Sequence, residues 1–91
     1  MSSTSAQRAL QPAHHRLKVL AEADPGAIAR VLQPFQSRNI VPHRVRIDRI
    51  GEDYLEIAVD VATADIQPDA LQRIAAQLGQ LPDVMVAITC D

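Results

Sequence analysis

The chain lacks most of what a nucleic-acid binder, a metal protein or a disulfide-stabilised domain would contain. Its 91 residues include one Tyr, one Phe and no Trp, so the aromatic side chains on which bases stack are missing. Nine Lys and Arg against eleven Asp and Glu give a net charge of −2, without the basic excess that neutralises phosphates. The single cysteine, Cys90, excludes an intramolecular disulfide and a multi-cysteine metal site. We therefore expect no nucleic-acid partner, no metal and no cofactor.

Long apolar segments are also missing. No run approaches the ~18 residues that span a bilayer, and the first residues hold no apolar stretch of the kind found in signal peptides. A hydrophobic content of 47% is nevertheless typical of a folded protein. We expect a cytoplasmic protein with no membrane partner, a flexible tail over residues 1–15 and one domain over residues 16–91.

Hydrophobic periodicity predicts the order strand, helix, strand, strand, helix, strand. Residues 16–22 alternate as a strand does, and Asp24-Pro25-Gly26 has the residue types that begin a helix. The stripe Ile28, Val31, Leu32, Phe35 marks the first helix, in which Pro34 predicts a kinked or loosened last turn. Pro68 begins a second helix that Gly79 and Pro82 close. This order predicts an α+β, ferredoxin-like βαββαβ sandwich, a four-stranded antiparallel sheet with two helices on one face.

A hairpin joins the two middle strands through Gly51-Glu52-Asp53. The three-residue loop aligns Val45 and Ile47 with Val59 and Ile57, which puts Arg44 opposite Asp60 and Asp48 opposite Glu56. In the last strand, simple alternation predicts an inward face of Val84, Val86, Ile88 and Cys90. The outer sheet face is then predicted to be partly charged and partly apolar, typical of a surface that meets another sheet or subunit. Its predicted members are Arg16, Lys18, Leu20, Arg44, Arg46, Glu56, Ala58, Asp60, Met85, Ala87 and Thr89.

Motifs that carry catalysis do not occur in the chain. There is no G-x-S-x-G, no phosphate-binding loop and no H-E-x-x-H, and Cys90 is predicted to be a buried structural thiol. His14 and His15 are adjacent, so on a strand they point to opposite faces and do not chelate a metal together with His43. We expect a protein that is not an enzyme.

The turn before the first helix is the one local feature with binding potential. Backbone N–H groups at a helix N-terminus favour anions, including an amino-acid carboxylate, and Gly26 allows a close approach to the backbone. The same Asp-Pro-Gly sequence also begins helices that bind nothing, so both interpretations stay open.

The segment Leu17-x-Val19-x4-Asp24-Pro25-Gly26-x-Ile28-x-Arg30-Val31-Leu32-x2-Phe35-x2-Arg38-x-Ile40 resembles the opening of an ACT domain, a regulatory module of amino-acid metabolism. The resemblance extends over residues 16–91. The stretch from Leu78 to Ile88 is similar to the end of the first domain in the small regulatory subunit of acetolactate synthase, and the length matches its single-ACT type. The resemblance implies a homodimer joined side by side, with effector sites at the interface.

Carried over by position, the resemblance implies that Asp24, Pro25, Gly26 and Ala27 line the effector site, together with the start of the second strand. Amino-acid-sensing members hold the effector's polar end with an asparagine after the first helix. That position is Val41 here, and Asn39 lies two residues before it. Valine has no hydrogen-bonding group, and its presence favours a subunit that activates or stabilises an enzyme without feedback sensing.

Three hypotheses follow. The first is a homodimeric regulatory subunit bound to a larger metabolic enzyme, the catalytic subunit of acetolactate synthase, which alone would hold thiamine diphosphate, flavin and Mg²⁺. The second is a stand-alone dimer that senses a free amino acid, a branched-chain one by the resemblance. The third is a homo-oligomerising domain without a ligand.

Overall fold

The computed structural model describes residues 14–90. Six elements follow one another in the predicted order: β1 (His14–Glu22), α1 (Ala27–Ser37), β2 (Arg44–Ile50), β3 (Tyr54–Ala62), α2 (Pro68–Gly79) and β4 (Val84–Cys90). β1 begins earlier than the alternation predicted, so His14 and His15 belong to this strand. The rest of the predicted tail, residues 1–13, lies outside the described residues.

The four strands form one antiparallel sheet in the order β2-β3-β1-β4, which confirms the ferredoxin-like arrangement. The hairpin register is also confirmed: Val45 pairs with Val59, and Asp48 lies opposite Glu56. Gly51 has a φ of 63°, a conformation that glycine adopts without a steric penalty, and it opens the three-residue loop.

The hydrophobic core lies between the helices and one face of the sheet. The central strands contribute side chains that are 0–1% exposed: Leu17, Val19 and Ala21 from β1 and Ile57, Val59 and Val61 from β3. Helix α1 contributes Val31 and Phe35 of its predicted stripe, and α2 contributes Leu71, Ile74 and Leu78, all buried against the strands. On the edge strand β2, the inward Ile47 is still 42% exposed.

Helix α1 passes through Pro34 and ends in a Schellman motif. Asn39 adopts a left-handed φ of 58°, its N–H donates to the Gln36 carbonyl, and the Ile40 N–H donates to the Phe35 carbonyl. Ile40 packs against the core, as the residue after such a cap usually does. The helix continues for three residues beyond the buried Pro34, and the predicted kink or loosening of the last turn stays a prediction.

The predicted inward face of β4 is wrong beyond Val84. Leu20 pairs with Val86 but Ala21 pairs with Val84, so a bulge at Met85 adds one residue to β4. Since the side-chain period of a strand is two, one extra residue exchanges the faces. Ala87 and Thr89 consequently lie on the helix side, opposite Val19 and Leu17. Val86 and Ile88 lie on the open side, where they are 46% and 48% exposed.

The bulge also changes Cys90, which lies opposite Arg16 on the open face and is partly exposed rather than buried in the core. Paired residues across β2, β3, β1 and β4 share a face and form rows on the open side. From one end to the other, the rows are Arg44–Asp60–Arg16–Cys90, Arg46–Ala58–Lys18–Ile88, Asp48–Glu56–Leu20–Val86 and Ile50–Tyr54–Glu22.

Candidate functional site

The turn between β1 and α1 is closed by its own aspartate. The Gly26 N–H donates to Oδ2 of Asp24 at 3.1 Å, and the Ala27 N–H donates to the Asp24 carbonyl at 3.0 Å. The first contact is the one an N-cap side chain makes, but α-helical bonding begins only at Ala27, with Gly26 as N-cap. Asp24 therefore already accepts the first N–H that an anionic ligand would use.

Arg30 ties this turn to the start of β4. Its guanidinium donates from Nη2 to Asp24 and to Asp83, and from Nε to Asp83 at 3.0 Å. The hydrogen bond from Arg30, followed by that from the Gly26 N–H, lowers the pKa of Asp24. Two carboxylates around one guanidinium leave the turn with an excess of negative charge.

Gly26 leaves room for that guanidinium. A Cβ at Gly26 would lie 2.8 Å from Nη1 of Arg30 and 3.2 Å from Oδ2 of Asp24, so any side chain there displaces the ion pair. A Cβ at Gly79, by contrast, would meet nothing within 4 Å. The close approach predicted for Gly26 is therefore occupied within this chain by Arg30.

The other candidate residues lie beyond the opposite end of α1. Asn39 is the exposed left-handed cap of the helix, and Val41 is 80% exposed. The eleven residues of α1 separate this segment from the Asp24 turn by about 16 Å. Within one chain, the two groups of candidate residues are not brought together.

An apolar groove lies beside Val41 on the helix side of the molecule. It has a volume of about 380 Å³, and its apolar lining includes Leu32, Ile40, Val41 and Pro42. A second groove of about 270 Å³ runs between the helices and is lined by Arg30, Pro34, Leu78 and Leu81 among others. The groove beside Val41 offers an aliphatic surface to a partner or a ligand.

A polar cluster lies at the far end of the open face. Nε of Arg16 binds Oδ1 of Asp60 at 2.7 Å and Nη2 binds Oδ2 at 3.2 Å, and the hydrogen bond from Arg16 lowers the pKa of Asp60. Arg44 is opposite Asp60 as predicted, but the carboxylate makes its ion pair with Arg16 on the other neighbouring strand. His14, Arg16, Asp60 and Cys90 line a cavity of about 280 Å³.

Metal binding is not indicated by this cluster. The rings of His14 and His43 lie with their centroids 4.1 Å apart and their planes inclined by 30°. Residues 14–90 contain no group of three or more His, Cys, Asp or Glu side chains that could hold a metal ion. No helix within the same residues is long and apolar enough to cross a membrane.

Comparison with known proteins identifies the fold. No protein-family model matches the chain, and no curated protein does. Among solved structures, the C-terminal domain of the MgtC protein from Mycobacterium tuberculosis has a TM-score of 0.69 at 19% identity, covering 85% of this chain and 84% of that one. The ACT domain from GTP pyrophosphokinase of Chlorobium tepidum has a TM-score of 0.68 at 8% identity, covering 85% of this chain and 96% of that one.

This chain has the fold of an ACT domain. The regulatory subunit of aspartate kinase from Thermus flavus matches with a TM-score of 0.63 at 22% identity over 84% of this chain and 50% of that one. At such identities the likeness shows the ACT fold alone, since one fold serves many functions.

In this ACT fold, several candidate residues have structural roles that the sequence did not reveal. Ala27 is 1% exposed and faces the core, and Asn39 ends the helix. The contacts of Arg30 were missed. They could have been found from topology, because β1 and β4 are neighbours and the Glu22 N–H donates to the Asp83 carbonyl. Arg30, one turn into α1, is then within reach of both aspartates.

Proposed function

We propose that this chain is a non-catalytic regulatory ACT domain that acts as a dimer and couples an amino acid to a larger metabolic enzyme. The observation that carries the proposal is the ACT fold, shared with a regulatory subunit of aspartate kinase and with a domain of GTP pyrophosphokinase. The motif from Leu17 to Ile40, which resembles the opening of an ACT domain, supports it independently of the fold.

The exposed edge of β2 supports a side-by-side dimer. Antiparallel pairing of two β2 strands about Ile47 buries this side chain, 42% exposed in one chain, against its copy. The same register sets Arg46 opposite Asp48 of the second copy, twice over the two-fold axis. Neither charge has an ion-pair partner among the described residues.

This pairing would also complete the effector site. β1 and β2 run parallel, so the Asp24 turn lies at the end of the sheet where β2 finishes, next to Asp53, whose carbonyl accepts the Ala23 N–H. Antiparallel pairing brings the start of the second copy's β2 to that same end. The Asp24 turn of one chain and Val41 of the other would then share an interface, although they are separated within each chain.

The chemistry of the two parts fits an aliphatic amino acid. The excess of carboxylate around Arg30 suits an ammonium group, and the groove beside Val41 suits a branched side chain. The finer hypothesis, the small regulatory subunit of acetolactate synthase, rests on the resemblance of the sequence around Leu78 to Ile88.

Thermal unfolding against the twenty amino acids tests the effector. A ligand at ~100 times its dissociation constant adds about 2.7 kcal/mol, a shift of roughly 10 °C for a domain of this size. We expect Val41→Asn, which restores a hydrogen-bonding group, to enlarge the shift. Gly26→Leu should abolish it by displacing Arg30, whereas the matched control Gly79→Leu should not. Flat results for the wild type and Val41→Asn would refute amino-acid binding.

The enzyme partner is tested by copurification from the source cell at several salt concentrations. We expect one large metabolic enzyme to follow the wild type, and its activity to change when this chain is added. If none follows but an amino acid binds, the stand-alone sensor is correct. If both experiments fail and the chain still self-associates, the homo-oligomerising domain remains.

A further inference from the structure

The open face of the sheet carries apolar side chains and charged side chains that have no partner within the described residues. Its large apolar side chains Ile50, Tyr54, Val86 and Ile88 are 40–48% exposed. With Leu20, they line a shallow cavity of about 350 Å³ that also includes Lys18 and Glu56. Lys18 and Glu56 make no ion pair among residues 14–90. This part of the face therefore lacks both an apolar cover and counter-charges.

The charges on this face are ordered by row. Lys18 and Arg46 belong to the row that includes Ile88, and Glu56 and Asp48 belong to the next row, which includes Val86. A cationic row thus adjoins an anionic row, and both rows end in an apolar residue on β4. The like-charged Asp48 and Glu56 lie directly opposite one another, which destabilises the sheet of a single chain.

We propose that the open face binds the open face of a second copy, about a two-fold axis that crosses the strands between these two rows. This axis places each strand over the same strand of the copy, with the direction reversed. The cationic row of each copy then faces the anionic row of the other. Ile88 then meets Val86 of the copy, and Lys18 lies over Leu20 of the copy, one strand from its Glu56. Neighbouring strands are about 4.8 Å apart and packed sheets about 10 Å, distances that a lysine side chain bridges.

Charge complementarity selects this axis over the alternative. An axis parallel to the strands would set β2 against β4, and therefore Arg46 against the apolar Ile88 of the copy. An axis across the strands sets Arg46 over Asp48 of the copy and Ile88 over its Val86, and it leaves Lys18 one strand from Glu56 of the copy. The bulge at Met85 is essential, because it brings Val86 and Ile88 to this face.

This surface adjoins the β2 edge of the proposed side-by-side dimer and shares Arg46 and Asp48 with it, and the inference does not depend on amino-acid binding. Four strands of about seven residues give a flat footprint of roughly 19 by 23 Å. That is smaller than the ~800 Å² per partner of a standard interface, so we expect dissociation in the micromolar range or weaker. If both surfaces are used, the full assembly is a tetramer.

Sedimentation velocity of the full chain over a wide concentration range tests the proposal. We expect Val86→Asp to weaken self-association at least tenfold, because it buries a charge in the apolar contact that Val86 and Ile88 of β4 make with the copy. Lys18→Glu should weaken it as well, and Lys18→Glu/Glu56→Lys should restore it. The double variant separates a face-to-face pair from a folding defect, since each single change alters only one partner.

Ile47→Asp is the matched control at the β2 edge. If it abolishes the side-by-side pair but leaves association that depends on Val86, the face-to-face contact is established separately from the edge. If Val86→Asp and Lys18→Glu associate like the wild type, or the double variant fails to restore association, the proposal is wrong. A wild type that is monomeric at millimolar concentration also overturns it, whatever the amino-acid experiments show.

Discussion

The two faces of the sheet belong to the same strands but differ in burial: the helices cover one face and leave the other open. Under the helices, Leu17, Val19, Ile57 and Val59 are 0% exposed, whereas on the open side Val86 and Ile88 are nearly half exposed. Burial of apolar surface is worth about 25 cal/mol per Å², so the covered face supplies most of the free energy of folding. In the face-to-face pair that we propose, the apolar area of the open face is buried on association, and its charges select the orientation of the second copy.

Truncation of one isoleucine on each face gives the largest contrast. We expect Ile57→Ala to cost about 2–5 kcal/mol, because it opens a cavity in the core. Ile88→Ala should cost about 1 kcal/mol or less, because much of its side chain is already in water. Urea unfolding at low protein concentration measures both variants. Equal losses would show that the open face is covered within the chain.

Acid weakens the polar end of the open face. Arg16 holds the pKa of Asp60 below its ordinary value, so the ionised carboxylate stabilises the fold above the unfolded pKa, about 3.9. This contribution is lost as the pH falls through the lower, folded pKa. We expect Asp60→Asn to be less stable than the wild type at pH 7 and the difference to disappear towards pH 2. A difference independent of pH would contradict the ion pair.

Relief of the like-charge pair has a small effect in the opposite direction. Glu56→Gln removes the repulsion with Asp48, and we expect the monomer to gain roughly 0.3 kcal/mol, less at high salt. Asp48→Asn should give a similar gain, and the double variant little more than either single one. Chemical unfolding below the association concentration measures this. A loss of stability in both single variants would mean that each carboxylate has a stabilising partner.

Thiol labelling distinguishes the two faces of β4. We expect Cys90 to react with a thiol reagent in the folded monomer, because the bulge turns it to the open side. In a Cys90→Ser background, Ile88→Cys should label rapidly and Ala87→Cys slowly. Faster labelling of Ala87→Cys than of Ile88→Cys would indicate that β4 pairs without the bulge.

Local patterns predicted most of the fold. Alternation and helical stripes give the element order, and the three-residue loop sets the hairpin register of Val45 and Ile47. The candidate site was predicted only as two separate segments, because sequence spacing gives no distance between the Asp24 turn and Val41. The roles of Arg30 and Asp83 required knowledge of which strands are neighbours, and that of Asn39 required its left-handed φ.

The sequence by itself determined the element order and the covered face, since these depend on local periodicity and turn residues that a reader of the chain can count. The tertiary structure alone decided which side chains of β4 lie on the open face and which arginine forms the ion pair with Asp60. Both depend on pairing between strands distant in the chain: one bulged residue, Met85, reverses the faces, and Asp60 lies between Arg44 and Arg16 on two neighbouring strands. Local propensity predicts neither the bulge nor the partner of Asp60, because both depend on the packing of the whole sheet.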